Sequence, residues 1–293
     1  MDAKHLHDRA LGAYLGLAVG DALGATVEFM LPSEIRQQYG THRDIIGGGW
    51  LQLQAGRVTD DTEMALAMGR ALIASNGWDA HAVAESFVAW LKTMPIDIGN
   101  TCRRGIQRYM QDGSLSGPVR EHDAGNGAAM RNLPVVLATL NDDKAFRQQT
   151  LDASHLTHNN PLSDAAALAL GEMTRTLLKG SGVTECRDIV NGLLSEHPIF
   201  QFSPYPGRAS AYVLETMQTV LHYFFNTDSF ETLVVDTVNR GEDADTTGAI
   251  AGMLGGALYG TDAIPARWVN KLDANVVNEI HRQVEGLLRL SEK

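Results

Sequence analysis

Two short acidic clusters carry the side chains of this chain that are best suited to chemistry. Residues 59–63 are Thr-Asp-Asp-Thr-Glu, and residues 242–247 are Glu-Asp-Ala-Asp-Thr-Thr. Each cluster runs directly into an apolar stretch rich in alanine and glycine, which predicts a helix with the cluster at its N-terminus. One side-chain oxygen is enough to cap a helix, and the helix dipole offsets only about half a charge. The surplus carboxylates would therefore repel one another unless cations lay between them.

The ligand atoms that these clusters offer are all carboxylate and hydroxyl oxygens. Such hard ligands suit Mg²⁺, Mn²⁺ or Ca²⁺ better than zinc. We therefore predict that the two clusters are the halves of one divalent-metal site, and that this site holds two metals. The alternative is a pair of richly capped helices on opposite sides of the molecule, because acidic first turns are common. The spacing of the residues leaves both interpretations open.

Composition and charge limit the class of protein. The 293-residue chain is 44% hydrophobic, which is ample for a large buried core, and its net charge of -11 argues against binding to the nucleic-acid backbone. Its two cysteines, Cys102 and Cys186, have neither metal-site nor redox spacing, which suits a reducing cytosol. The N-terminus lacks a signal-peptide pattern, and Asp21 and Glu28 interrupt its apolar stretch, so we predict no transmembrane segment. We expect a soluble, cytoplasmic protein.

Helical periodicity runs through nearly the whole chain, whereas convincing strand patterns are rare. Apolar residues recur at three- or four-residue spacing over residues 80–92, 133–140, 163–178, 209–225, 230–238 and 275–290. The best strand candidate of a weak set is residues 234–238. Breaks between these segments are short turns rather than interdomain linkers. We predict one all-α domain that spans residues 1–293.

Two predicted helices carry glycine at every fourth residue. The first has Gly12, Gly16, Gly20 and Gly24, and the second has Gly248, Gly252, Gly256 and Gly260. Each glycine inside a helix costs roughly 0.5–1 kcal/mol relative to alanine, so the stripes need a compensating reason. We expect two central helices to pack closely there and to bring the metal ligands together. The alternative is a core that is merely rich in alanine and glycine.

Three further segments are weaker candidates for a site. The paired glycines of residues 125–131, Gly-Asn-Gly-Ala-Ala-Met-Arg, are predicted to precede a helix, where free N–H groups could bind a phosphate. The segment is neither a dinucleotide fingerprint nor a P-loop, and most such turns are only turns. His158 near a helix start is more often a structural histidine. Asp97 is a single carboxylate in a turn that ends a helix, where such residues commonly form Asx-turns.

Together these segments resemble the ADP-ribosylglycohydrolase family. The resemblance lies in residues 11–24 with Glu28, and in residues 58–62, 125–131, 157–158 and 241–247. Residues 47–50, 99–105 and 217–222 are similar to the bacterial group of this family that activates dinitrogenase reductase. The resemblance implies an all-α orthogonal helical bundle with a dinuclear metal site at helix N-termini. It also implies removal of ADP-ribose from an arginine side chain, with Mn²⁺ as the preferred metal and Mg²⁺ as the other candidate.

The resemblance assigns roles to individual residues. It implies that the metal ligands are Thr59, Asp60, Asp61, Asp243, Asp245 and Thr246. Asp245 would bridge the two metals, Glu28 would act on the attacking water, and Asp97 would transfer protons. The residues implied to bind the substrate are Asn100, Gly125, Asn126, Gly127, Met130, His158 and Tyr212.

The resemblance further implies partners, and it leaves rival functions. ADP-ribosylated dinitrogenase reductase would be the substrate, with regulation by a PII-type signalling protein and peripheral recruitment through an ammonium channel complex. One rival is hydrolysis of ADP-ribose from serine or from a small ester, and another is a non-enzymatic, metal-binding member of the family. A prenyl-diphosphate enzyme also joins two Asp-rich motifs through Mg²⁺. In such an enzyme the carboxylates of each motif lie a helical turn apart, whereas Asp60 and Asp61 are adjacent. Aromatic residues, at 6%, are also too sparse for a cavity that would hold a carbocation.

Overall fold

Helices form all the regular secondary structure in residues 3–120 and 124–293, the part of the chain that the computed structural model describes. The α-helices are α1 (Ala3–Gly24), α2 (Pro32–Tyr39), α3 (Asp60–Ala74), α4 (Ala80–Lys92), α5 (Asn100–Asp112), α6 (Leu133–Ala138), α7 (Asp143–His155), α8 (Pro161–Leu178), α9 (Val183–Glu196), α10 (Val213–Asn226), α11 (Phe230–Val238), α12 (Ala244–Tyr259), α13 (Ala266–Val269) and α14 (Ala274–Leu290). Short 3₁₀ helices cover Pro198–Phe200 and Thr261–Ala263. The prediction of an all-α fold is confirmed.

Residues 234–238, the best of the weak strand candidates, form the second half of α11, as the helical periodicity over residues 230–238 predicted. Its β-branched residues favour a strand locally, but tertiary packing overrides such a preference. The hydroxyl of Ser229 accepts a hydrogen bond from the N–H of Thr232 at 3.2 Å and so caps the helix. The apolar side chains of α11 then pack against α12.

Helices α1 and α12 pack against each other in antiparallel orientation, and their glycine stripes form the contact. A methyl group added at Gly20 would lie 1.9 Å from the carbonyl oxygen of Gly248, and one at Gly24 would lie 2.1 Å from that of Ala244. No side chain fits at these distances, so the predicted close packing is confirmed. As a result, the C-terminal end of α1 lies beside the N-terminal end of α12, where the second acidic cluster is located.

Helix α3 carries the first acidic cluster and contacts both central helices. It also packs on α4 and α14, and buried apolar side chains from nearly all the helices form one continuous core. The structure therefore places both predicted clusters at one end of the α1–α3–α12 packing unit. Over residues 3–120 and 124–293, no helix is both long enough and apolar enough to cross a lipid bilayer.

Candidate metal centre and catalytic cavity

Asp21, near the end of α1, caps the N-terminus of α3. Its carboxylate accepts hydrogen bonds from the N–H groups of Thr59 and Thr62, at 2.9 and 3.2 Å, and from their hydroxyls, at 2.8 and 2.5 Å. By contrast, the N-cap residues of α3 and α12, Thr59 and Asp243, make no side-chain capping hydrogen bond. The acidic clusters are therefore not explained as helix caps, which removes the simpler interpretation of the sequence pattern.

Thr59 lies where the two clusters meet. Its hydroxyl oxygen is 3.4 Å from Oδ2 of Asp61 and 3.3 Å from Oδ2 of Asp245, and the hydroxyl oxygen of Thr246 is 3.5 Å from the same oxygen of Asp61. The one hydroxyl proton of Thr59 goes to its shortest contact, Asp21. The contacts of Thr59 with the other two carboxylates therefore receive no proton from Thr59. Their spacing falls in the range of about 2.9 to 3.6 Å that separates neighbouring oxygens around Mg²⁺ or Ca²⁺.

Burial raises the pKa of seven carboxyl groups in this region. The groups are Asp21, Glu28, Asp60, Asp61, Asp97, Asp243 and Asp245. The pKa of Asp21 rises to about 6, and those of Glu28 and Asp60 rise to about 8. Within the described residues, no basic side chain forms an ion pair with any of them. All seven can be ionised together at neutral pH only if cations compensate their charge.

One buried oxygen of this cluster, Oδ1 of Asp61, has no hydrogen-bond partner. A buried carboxylate oxygen without a partner is costly, and a bound cation would satisfy it. The surrounding donor set consists of carboxylate and hydroxyl oxygens, which is the chemistry that hard divalent cations require. The residues present therefore fit the divalent metals that the sequence predicted.

A second group of carboxylates adjoins the first one through Asp245. One oxygen each from Glu28, Asp97 and Asp245 lies within 4.8 Å of the others, so these three could also hold a cation. The resemblance assigned Glu28 and Asp97 to catalysis, and the geometry places both next to the predicted bridging ligand. The indole N–H of Trp50 donates to Oε2 of Glu28 at 2.6 Å and orients its carboxylate.

Glu28, Asp97 and Asp245 line a cavity of about 630 Å³. Every predicted site residue lines it except Thr59 and Asp61, which are buried in the oxygen cluster. The predicted residues in its wall are Glu28, Asp60, Asp97, Asn100, Gly125, Asn126, Gly127, Met130, His158, Tyr212, Asp243, Asp245 and Thr246. The structure thus gathers at one place residues that are spread over most of the sequence.

Residues 125–131 form a turn rather than the start of a helix. A helix does follow the paired glycines, as predicted, but it does not start at them, because α6 begins only at Leu133. The N–H groups of Ala129 and Met130 donate to the carbonyl oxygen of Asn126 and close the turn. The N–H groups of Gly127 and Ala128 have no backbone acceptor among the described residues. Free N–H donors therefore lie beside the cavity, but they belong to a turn and not to the N-terminus of a helix.

Asn126 ties this turn to the second acidic cluster. Its amide nitrogen donates to Oδ2 of Asp243 at 2.5 Å and lies 3.0 Å from the hydroxyl oxygen of Thr216 in α10. An isolated β-bridge between Gly125 and Tyr212 holds the turn against the start of the same helix. The position of the turn is therefore coupled to that of the acidic residues.

Sequence reasoning missed two residues that organise the site. Asp21 was considered only as an interruption of an apolar stretch. It directly follows Gly20 of the glycine stripe, so its burial could have been foreseen, and a buried carboxylate needs partners. No sequence signal identifies Trp50 as the hydrogen-bond donor to Glu28, because a loop brings the two together.

Known proteins with similar sequences and structures were found. The family model described as ADP-ribosylglycohydrolase matches residues 2–293. The chain is 57% identical to ADP-ribosyl-[dinitrogen reductase] glycohydrolase of Rhodospirillum rubrum, over 99% of both chains. It is 32% identical to ADP-ribosylarginine hydrolase Tri1 of Serratia proteamaculans, over 90% of this chain and 75% of that protein. A solved structure titled ADP-ribosylglycohydrolase-related protein complex has a TM-score of 0.87 and 32% identity, and the match covers 98% of this chain and 99% of that one.

Proposed function

The chain belongs to the ADP-ribosylglycohydrolase family, and we propose that it hydrolyses the N-glycosidic bond between ADP-ribose and an arginine of dinitrogenase reductase. The observation that carries this proposal is the full-length similarity to the Rhodospirillum rubrum enzyme. Similarity to an ADP-ribosylarginine hydrolase supports arginine as the modified side chain. Removal of the ADP-ribose would return the target protein to its active form.

The metal ligands of the proposed enzyme come from both acidic clusters. They are Thr59, Asp60, Asp61, Asp243, Asp245 and Thr246, and they would hold two divalent cations, with manganese preferred over magnesium. Asp245 contacts the oxygen cluster around Thr59 and also adjoins Glu28 and Asp97, which supports its role as the bridging ligand. When bound, the cations neutralise the buried carboxylates and polarise a water molecule and the vicinal hydroxyls of the ribose.

Glu28 and Asp97 are suited to different steps because their surroundings differ. Cleavage of the bond builds positive charge on the ribose, and the departing guanidine needs a proton. Asp97 lies in the connection between α4 and α5 and is only partly buried, so it can exchange protons with the substrate and then with solvent. Glu28 is buried and held by Trp50, which suits a fixed carboxylate that orients the attacking water.

The remaining wall of the cavity fits an ADP-ribosyl group. The N–H groups of Gly127 and Ala128 would donate to the diphosphate, as consecutive backbone amides do in anion-binding turns. Tyr212 lines the cavity and keeps 37% of its surface exposed, so its ring is available to a ribose or an adenine. Asn100 at the start of α5 and Met130 in the turn complete the proposed binding surface.

The cellular setting belongs to the same proposal. We place the enzyme in the cytoplasm, where its substrate would be ADP-ribosylated dinitrogenase reductase. Regulation by a PII-type signalling protein and recruitment through an ammonium channel complex are supported by the sequence resemblance in residues 47–50, 99–105 and 217–222.

The test is incubation of the Mn²⁺-loaded chain with dinitrogenase reductase that carries ADP-ribose on arginine. We expect free ADP-ribose to be released and the activity of the target to recover in proportion. The Asp61→Asn variant serves as the matched control, because it keeps the shape of the side chain and removes the charge of a proposed ligand. If the metal-loaded wild-type chain releases no ADP-ribose, the proposal is wrong.

A further inference from the structure

Arg131 is fully buried beside the cavity and has no carboxylate partner within the described residues. Its guanidinium donates to the carbonyl oxygens of Gly127 at 2.6 Å and Ala153 at 3.2 Å, and to the hydroxyl of Thr157 at 2.6 Å. It also lies 5.0 Å from the centre of the Phe87 ring. Burying a cation without an anionic partner is costly, so the position of this side chain calls for a compensating role.

The hydroxyl of Thr157 lies between Arg131 and His158. A guanidinium can only donate hydrogen bonds, so the Thr157 oxygen accepts from Arg131 and its own proton remains free. Nδ1 of His158 lies 2.7 Å from the hydroxyl oxygen, within reach of that proton. When Nδ1 accepts this hydrogen bond, the neutral ring carries its proton on Nε2. Burial, together with the positive charge of Arg131, lowers the pKa of His158 well below its usual value and keeps the ring neutral.

The Nε2 side of the His158 ring packs over the turn at residues 125–131. A methyl group added at Gly125 would lie 2.9 Å from Nε2, and one at Gly127 would lie 2.8 Å from Cε1. The ring therefore occupies the space that side chains at these two positions would take. His158 also lines the cavity, and within the described residues Nε2 has no hydrogen-bond acceptor. In the Nε2–H tautomer, the ring offers an N–H donor beside the free N–H of Gly127.

We propose that Arg131 and Thr157 are positioning residues that hold His158 in the Nε2–H tautomer, so that Nε2–H donates to an oxygen of the bound ADP-ribosyl group. This inference rests on the proposed function, because it takes ADP-ribose as the ligand. It gives the buried charge of Arg131 a role, since that charge lies behind the turn where the anionic diphosphate would bind. It also explains why both positions of the glycine pair must lack a side chain.

The tautomer can be measured in the wild-type protein. Long-range ¹H–¹⁵N spectra identify the protonated nitrogen of each histidine, and the Mg²⁺-loaded enzyme is used because Mn²⁺ broadens the signals. The chain has ten histidines, and the His158→Gln variant identifies the signals of His158. We expect the proton on Nε2 at neutral pH. A proton on Nδ1, or a doubly protonated ring, overturns the proposal.

Two substitutions of Thr157 separate the hydrogen bond from the shape of the side chain. Thr157→Val keeps the shape and removes the hydroxyl, whereas Thr157→Ser keeps the hydroxyl. The matched control is Thr174→Val, because Thr174 is equally buried but donates to the Leu170 carbonyl within its own helix. We expect Thr157→Val to populate the Nδ1–H tautomer and to raise the Kd for free ADP-ribose about tenfold, the effect of one hydrogen bond.

Thr157→Ser and Thr174→Val should bind ADP-ribose as the wild type does. Wild-type tautomer and affinity in Thr157→Val would overturn the proposal, and so would equal weakening by Thr157→Ser. Hydrolysis of ADP-ribosyl-arginine by the wild type is measured in parallel. Its absence would contradict the proposed function, whereas hydrolysis together with an unaffected tautomer would contradict only the positioning role of Arg131 and Thr157.

Discussion

Replacing Gly20 with alanine tests whether the close packing of α1 and α12 assembles the site. The added methyl carbon would lie 1.9 Å from the carbonyl oxygen of Gly248 and 2.3 Å from its carbonyl carbon, whereas ordinary contact begins at 3.4 Å. The two helices would have to separate locally by the shortfall of about 1.5 Å, because interiors packed at crystal-like density offer no free space. Asp21 follows immediately in the sequence, so its hydrogen bonds to the start of α3 would be displaced as well.

Two opposing effects set the magnitude of this change. Overpacking a buried contact costs about 1–3 kcal/mol, while alanine is favoured over glycine inside a helix by about 1 kcal/mol. We therefore expect Gly20→Ala to destabilise the protein by up to about 2 kcal/mol. At roughly 2–4 °C for each kcal/mol, the melting temperature should fall by several degrees. The affinity for Mn²⁺ should fall too, because α1 and α12 carry parts of the same site.

The matched control for Gly20→Ala is Gly192→Ala in α9. Gly192 is exposed, and a methyl group added there would meet no atom within 4 Å. This control should therefore stabilise the protein by about 0.5–1 kcal/mol. Thermal unfolding and Mn²⁺ titration of both variants provide the assay. If Gly20→Ala behaves like Gly192→Ala in both measurements, the packing argument is refuted.

Three further predictions concern the site. Asp97→Asn should lower kcat by about 100-fold or more, while metal content and affinity for ADP-ribose stay nearly unchanged. Loss of metal in this variant would instead make Asp97 a metal ligand, which its closeness to Glu28 and Asp245 allows. The metal-free protein should lose stability as pH rises from about 4 to 8. Burial raises the pKa of Glu28 and Asp60 to about 8 in the folded state, so the unfolded chain releases those protons at lower pH. In a series of thermal unfolding curves, added Mn²⁺ should remove this pH dependence, and its persistence would count against the site. Serine-linked ADP-ribose should be a poor substrate beside the arginine linkage in a competition assay, and equal turnover would remove the arginine assignment but not the glycohydrolase class.

Sequence patterns predicted the parts of the fold and site that depend on local chemistry. Surplus carboxylates at two helix starts indicated a shared site, and the structure brings Thr59 within 3.3 Å of Asp245. Four-residue glycine spacing indicated a close helix pair, and α1 and α12 form it. Both patterns are informative because each one destabilises the chain locally. The carboxylates repel one another and the glycines weaken their helices, and only contacts with a distant element offset these costs.

The features that sequence missed depend on contacts between distant segments. The glycine stripe indicates that Asp21 is buried, but no sequence pattern identifies Thr59 as its partner or brings Trp50 to Glu28. The paired glycines of residues 125–131 were predicted to offer free N–H groups before a helix. Pairing of this segment with the start of α10 holds it as a turn instead.

The central claim is that the two acidic clusters hold the divalent cations on which hydrolysis of ADP-ribosyl-arginine depends. It is tested most directly by stripping the protein with a chelator and adding Mn²⁺ back in steps. Metal content and release of ADP-ribose from modified dinitrogenase reductase are measured in each sample. We predict no release from the metal-free protein and full recovery as the content approaches two ions per chain. Undiminished release from protein in which elemental analysis finds no metal would contradict the claim.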